Sequence, residues 1–213
     1  PDIAPGESGS ERETFGEGVL ERRLREVIAR LNAQLPADAR DEVLRSVLRQ
    51  ESPSLISRNR QFHKQLRDGV EVEYRNAQGS IVGAQVSLID FENPYNNDWL
   101  VVNQFRVVES GNDRRPDIVV FVNGLPLAVF ELKNLGDEDA TVDKAYAQLQ
   151  TYKSEIPSLL NYNELLVVSD GQHARMGSLT AGFEWFKAWP TVDDETPVTS
   201  LLPLDVLIRV VFD

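Results

Sequence analysis

Asp117, Glu131 and Lys133 form the part of this sequence best suited to chemistry. Pro116-Asp117 is followed by thirteen residues, IVVFVNGLPLAVF, and then by Glu131-Leu132-Lys133. The intervening run is apolar except for Asn123-Gly124, the dipeptide that most strongly signals a β-hairpin. Ile118–Val122 and Leu127–Leu132 are therefore expected to be paired strands. They are apolar on both faces, as strands covered on both sides are. Glu131 and Lys133 are two residues apart and share a face. Charged groups at the end of buried strands cost several kcal/mol each unless they are compensated. Such a cluster is paired, holds a metal, or does chemistry. Two carboxylates and a lysine suit metal-assisted phosphodiester hydrolysis. Oxygen ligands suit Mg2+. A bound metal polarises a phosphate and lowers the pKa of a bound water. A lysine stabilises developing negative charge or orients the attacking water. The alternative is an ion pair of Lys133 with Glu131 or Asp117 at a strand end.

The hairpin register separates shared from unshared sites. A two-residue turn on Asn123 and Gly124 with regular pairing places Asp117 opposite Phe130, facing away from Glu131. A three-residue loop, Val122-Asn123-Gly124 with Gly124 left-handed, places it opposite Val129 on the face of Glu131 and Lys133. The odd loop is the expectation.

The other elements must position this hairpin. Residues 1–13 are rich in Pro, Gly, Ser and charge and read as a flexible lead-in. Val19, Leu20, Leu24, Val27, Ile28 and Leu31 fall at helical spacing, with Pro36 as the stop. Asp38 or Asp41 is expected to cap a second helix carrying Val43, Leu44, Val47 and Leu48. Arg58 to Leu66 reads as a third. Val70–Tyr74 alternates like a half-exposed strand. Residues 84–91 and 99–108 read as two more strands. After the hairpin come a polar loop at 136–139, a helix from Val142 to Ile156 and a strand Leu165–Ser169. Phe183, Trp185, Phe186 and Trp189 are expected to form a core flap. The order predicts an α/β fold, a mixed sheet flanked by helices behind an N-terminal helical segment.

Composition narrows the classes. The chain is 41% hydrophobic and 26% charged over 213 residues, which is globular composition. It has no cysteine, which excludes disulfides, thiolate zinc sites and a cysteine nucleophile. His63 and His173 are its two histidines, too few for a multi-histidine metal site and without triad context. No run approaches a membrane span and no leader is visible, so a cytoplasmic protein without membrane contact is expected. The net charge is −12, whereas a protein that grips DNA by itself is usually basic.

At these residues the sequence resembles a known family. RPDIVVFVNGLPLAVFELKN is similar to the PD-(D/E)xK nuclease core of HsdR, the motor-and-cleavage subunit of type I restriction enzymes. LIDFENPYNNDWLVVNQF and SDGQHARMGSLTAGFEWFKAW resemble that family too. The resemblance implies a restriction-endonuclease-like fold. It implies Asp117 and Glu131 as metal ligands, Lys133 as the catalytic lysine and the Leu132 carbonyl as a further ligand. Gln148 and Tyr152 match the family's Q-x-x-x-Y motif, one face of a helix that positions DNA; the ordinary alternative is that Tyr152 packs with Leu149 and Ile156 while Gln148 is solvated. Glu17 and Glu21 match an E-x-x-x-E pattern, with Glu21 as a remote metal ligand or a solvated helix residue. Arg114 and Arg115 either touch a phosphate or neutralise Asp113 and Asp117. Arg58, Arg60, His63, Lys64 and Arg67 form the densest basic patch, either a DNA contact or a solvated basic run. The cofactor implied is Mg2+, with Mn2+ as a substitute.

The implied partners are double-stranded DNA and the modification and specificity subunits of a type I complex. ATP would serve only the full-length enzyme, because the chain carries no G-x-x-x-x-G-K-[ST] phosphate loop. The expected division is a lead-in over 1–13, an endonuclease domain over 14–190 and a linker over 191–213 toward a translocase. A freestanding nuclease of the same core, or a non-catalytic docking module, are the competing functions.

Overall fold

Three helices open the chain of the computed structural model, which describes residues 2–49, 52–133, 141–171 and 173–188. Helix α1 (Glu21–Leu31) buries Leu24, Val27 and Ile28. It ends well before Pro36, at Asn32, whose side-chain amide donates to the Ile28 and Ser87 carbonyls. Pro36 instead caps α2 (Ala37–Leu48), and no side chain caps that helix. The expected caps fall inside it; Asp41 pairs with Arg25 at 2.6 Å. Helix α3 (Leu55–Asp68) is capped by Ser54, whose Oγ accepts from the Ser57 amide.

Strands β1 (Val70–Arg75) and β2 (Ile81–Val86) form a separate antiparallel ribbon. The strand expected over 84–91 stops at Val86, because Asn32 takes both the amide and the carbonyl of Ser87. The one expected over 99–108 is broken. Strand β3 (Trp99–Asn103) ends at Gln104, which has φ +56°. Then β4 (Val107–Glu109) and β5 (Asn112–Arg114) form a short ribbon. Next come β6 (Ile118–Val122), β7 (Leu125–Leu132), α4 (Val142–Glu155), the single turn α5 (Pro157–Leu160), β8 (Leu165–Ser169), β9 (Ala174–Gly177) and β10 (Lys187–Ala188).

One sheet runs in the order β10-β9-β8-β7-β6-β3. Among the described residues only β7 and β8 pair in parallel, and their connection carries α4 over one face. Ala145, Leu149 and Tyr152 of α4 pack there with Val129, Leu166 and Val168. Val120, Ala128, Phe130, Leu165 and Val167 lie together on the other face. Leu125 and Leu127 reach the helices α1 to α3. The mixed α/β architecture with N-terminal helices is as expected.

Two local expectations change. The lead-in is anchored rather than free. The Arg12 side chain is buried, stacks 3.9 Å from the Phe105 ring centroid, and pairs with Asp2 at 2.6 Å. Glu11 pairs with Arg23. In the flap, Phe186 is buried against Tyr146, but Trp185 is 65% exposed. Trp189, the loop at 136–139 and the linker over 191–213 lie outside the described residues. Among the described residues no helix is long and apolar enough to cross a membrane.

Candidate active site

The hairpin that carries the carboxylates turns on two residues, not three. Val122 pairs with Leu125, and Asn123 and Gly124 have φ of +56° and +80°. Those angles at both central residues are the ones a type I′ turn demands. The expected odd loop is therefore incorrect. A regular ladder from this turn would set Asp117 against Phe130, on the face away from Glu131. The ladder is not regular. Phe121 pairs with Pro126, yet Val120 pairs with Ala128 and Ile118 with Phe130. Leu127 is an extra residue, a β-bulge. Its carbonyl is used on the other side, where it accepts from the Glu164 amide at 2.8 Å and from the Asn163 side chain at 3.2 Å. Pro126, with no amide hydrogen to give a ladder, stands beside the bulge. Continued one step, the shifted register places Asp117 opposite Glu131, and directly opposed residues share a face. The bulge restores the shared face that the tight turn would have removed.

The side chains converge accordingly. Glu131, 4% exposed, accepts from Lys133 Nζ at 2.8 Å on Oε1 and from the Tyr152 hydroxyl at 2.9 Å on Oε2. Gln148 Nε2 donates to the Tyr152 oxygen at 3.2 Å. The i, i+4 pair on α4 thus reaches the hairpin as a relay: Gln148 to Tyr152 to Glu131. Asp117 accepts from the Leu132 amide at 2.7 Å on Oδ2 and from Gln104 Nε2 at 2.8 Å on Oδ1. The Lys133 amide donates to the Ser169 carbonyl at 2.7 Å, fixing the end of β7 against β8.

Burial pushes the Glu131 carboxyl above the usual carboxylate range. The hydrogen bond from Lys133 opposes this, the neighbouring Asp117 charge adds to it, and the Tyr152 hydroxyl opposes it. Burial and the Glu131 charge raise the Tyr152 phenol, so it stays a protonated donor. A raised carboxyl pKa means the folded state binds this proton more tightly than the unfolded chain does. The stabilisation is complete below the unfolded value and is lost as pH rises through the folded one. Glu131→Gln removes that loss. In metal-free buffer the variant is expected to melt above the parent chain at pH 7, with the gap closing toward pH 4. Thermal melts across that range check it; equal melting temperatures at pH 7 would contradict the electrostatic account.

The donor set fits a hard divalent cation. The Asp117 charge adds to the cost of ionising buried Glu131, and a cation between the two would relieve it. Among the described residues no third His, Asp or Glu joins them. That is compatible with Mg2+, which keeps several waters and takes one or two carboxylates from a protein.

Other expected residues are not brought here. Glu21 is exposed and pairs with Arg25 at 2.9 Å. The Leu20 amide bonds to the Gly124 carbonyl, so α1 starts at the turn end of the hairpin. Glu131 lies six residues beyond Leu125, about 20 Å along the strand. The structure therefore does not bring Glu21 to the carboxylates; its pattern partner Glu17 accepts from the Glu13 and Thr14 amides. Arg114 pairs with Glu155, Asp113 is neutralised by Arg106, and Arg115 is exposed. The basic patch on α3 is anchored near the start of β8. His63 Nδ1 meets Glu164 at 2.7 Å, Asn59 donates to the Asn161 and Asn163 carbonyls, and Arg67 pairs with Asp68. Glu131 is level with Val168, three residues further along β8. His173 sits by Asp170, away from any nucleophile pattern. Gln104 was missed, because nothing in its spacing tied it to Asp117; the pair is made by β3 lying beside β6.

Known proteins place the chain. Residues 1–185 match the family described as "Type I restriction enzyme R protein N terminus". The chain is 46% identical over 179 residues to the type I restriction enzyme HindI endonuclease subunit of Haemophilus influenzae, covering 83% of this chain and 17% of that protein. It is 35% identical over 192 residues to the putative type I restriction enzyme MjaIXP endonuclease subunit of Methanocaldococcus jannaschii, covering 89% of this chain and 18% of that one. The chain thus spans less than a fifth of these relatives' length. With its PD-(D/E)xK-type hairpin inside the matched segment, the chain belongs to the family of type I restriction enzyme R protein N-terminal domains.

Proposed function

We propose that this chain is the Mg2+-dependent nuclease portion of a type I restriction R subunit, hydrolysing phosphodiester bonds of double-stranded DNA after ATP-driven translocation by the rest of the subunit. The observation that supports it most is the convergence of Asp117 and Glu131 on one face of a buried hairpin, with Lys133 bonded to Glu131 at 2.8 Å. Asp117, Glu131 and the Leu132 carbonyl would hold the metal. Bound there, the metal would polarise the phosphate and lower the pKa of a water. Lys133 then turns from Glu131 toward the scissile phosphate and stabilises its developing negative charge. Tyr152 keeps Glu131 in place through its hydroxyl, and Gln148 keeps Tyr152. Mn2+ substitutes for Mg2+.

The nuclease unit spans residues 14–190, with 191–213 leading toward the translocase. The partners are DNA and the modification and specificity subunits, in the cytoplasm. Those partners and the motor would grip the DNA, which accounts for a nuclease with a net charge of −12.

The test is a Mn2+ titration by calorimetry on the parent chain, Asp117→Ala and Glu131→Ala. Mn2+ takes the same oxygen ligands. Binding in the parent chain that both variants lose is the expected result. Equal heats from all three, also with a short DNA duplex present, would reduce the cluster to an ion pair.

A further inference from the structure

Asp117 is held by a residue to which neither the motif nor the family match assigns a role. Gln104 contacts it twice. Its main-chain amide donates to the Asp117 carbonyl at 2.9 Å, and its side-chain Nε2 donates to Oδ1 at 2.8 Å. An ionised carboxylate only accepts, so the amide nitrogen of the side chain, not its oxygen, must face it. The main-chain bond extends the β3–β6 ladder by one step beyond Asn103 and Ile118.

At that step the chain departs from a strand. Gln104 takes the left-handed conformation, φ +56°, which non-glycine residues seldom adopt. The turn sends the next residue, Phe105, into the core against Phe121, ring centroids 5.0 Å apart. It leaves Gln104 exposed at the sheet edge, with its side chain brought back over Asp117. Asn or Gly would fit this backbone better. A glutamine here costs conformational strain and supplies the reach that neither of those has.

We propose that Gln104 is a positioning residue for Asp117, fixing the carboxylate plane in the orientation that accepts the divalent cation. This inference rests on the nuclease reading above. Each carboxylate oxygen has about two acceptor sites. Gln104 takes one on Oδ1 and the Leu132 amide one on Oδ2. The remaining lone pair of each oxygen stays available to a metal. Lys133 meanwhile bonds Glu131, so Asp117 is ordered by neutral donors that do not compete with the cation for its charge.

The experiment is Mn2+ calorimetry on this chain with Gln104→Asn and Gln104→Gly, beside the parent and Asp117→Ala, and a thermal melt of each. Both Gln104 variants suit the left-handed backbone and neither reaches Oδ1. A residue that served only the turn would leave Mn2+ affinity unchanged in both. The clamp predicts near-parental melting and roughly tenfold weaker Mn2+ binding, the scale at which partners of metal ligands act. Parental affinity in both Gln104 variants, with Asp117→Ala unable to bind, overturns the clamp and leaves the nuclease reading intact. Mn2+ binding that survives Asp117→Ala overturns both.

Discussion

Asp117→Ala, Glu131→Ala and Lys133→Ala are each expected to lower DNA cleavage by the assembled enzyme about a thousandfold or more, the upper range for loss of one charge-stabilising group. ATP hydrolysis should be untouched in all three, because this chain has no phosphate loop. The three losses have different causes, and metal binding separates them. Asp117 and Glu131 are the two carboxylates of the shared face, so their variants are expected to lose Mn2+ as well as cleavage. Lys133 is a cation already bonded to one of those carboxylates at 2.8 Å. Removing it frees Glu131, so Lys133→Ala should bind Mn2+ at least as tightly as the parent chain while failing to cut. Groups that act as a unit are not additive. Glu131→Ala combined with Lys133→Ala should therefore cut no more slowly than Glu131→Ala alone. Plasmid cleavage and ATPase assays on the complete complex measure both activities; full cutting by any of the three would falsify the assignment.

Gly124→Ala is expected to destabilise the fold by about 3 kcal/mol without touching the carboxylates. Two costs combine. Gly124 has φ +80°, where a side chain costs about 1–2 kcal/mol. A Cβ there would also lie 2.4 Å from the Leu20 carbonyl oxygen and 2.9 Å from the Leu24 amide nitrogen. Those are backbone atoms at the start of α1, which cannot rotate away, and overpacking of this kind costs about 1–3 kcal/mol. At this chain length the sum corresponds to a fall in melting temperature of roughly 6–12 °C. The turn lies at the far end of the hairpin from Asp117 and Glu131, so Mn2+ affinity of the folded variant should match the parent. A small shift in melting would mean that α1 yields at its first turn. A loss of Mn2+ binding in folded protein would mean that hairpin register, not only helix docking, depends on this glycine.

Periodicity and composition carried much of this architecture. The apolar run Leu165–Ser169 is β8 to the residue, and Val142–Ile156 is α4 within one residue. Strong patterns of burial leave these elements little choice. Boundaries set by single side-chain captures were not legible. Asn32 ends α1 and also cuts off a strand at Val86, through contacts with Ser87, 55 positions away. The lead-in reads as flexible by composition, yet Arg12 finds Phe105 and Asp2 and is buried. Glu21 illustrates the converse. A spacing pattern placed it on a helix face, but nothing local could say that α1 begins at the wrong end of the hairpin.

For the candidate site, residue type and spacing singled out Asp117, Glu131 and Lys133, because charges at the ends of buried strands need a reason. The Q-x-x-x-Y pair was recognisable, but only packing of α4 on the sheet turned it into a bond from Tyr152 to Glu131 at 2.9 Å. The face that Asp117 occupies was decided in three dimensions. Asn123-Gly124 specifies a tight turn, and a tight turn with a regular ladder separates the carboxylates. The extra residue at Leu127 reverses that outcome, and its carbonyl is taken by Glu164 and Asn163 from beyond α4. Side-chain alternation has a period of two, so one bulged residue flips every side chain beyond it. The amino-acid order supplied the chemical groups; a long-range contact at one bulge put them on the same side.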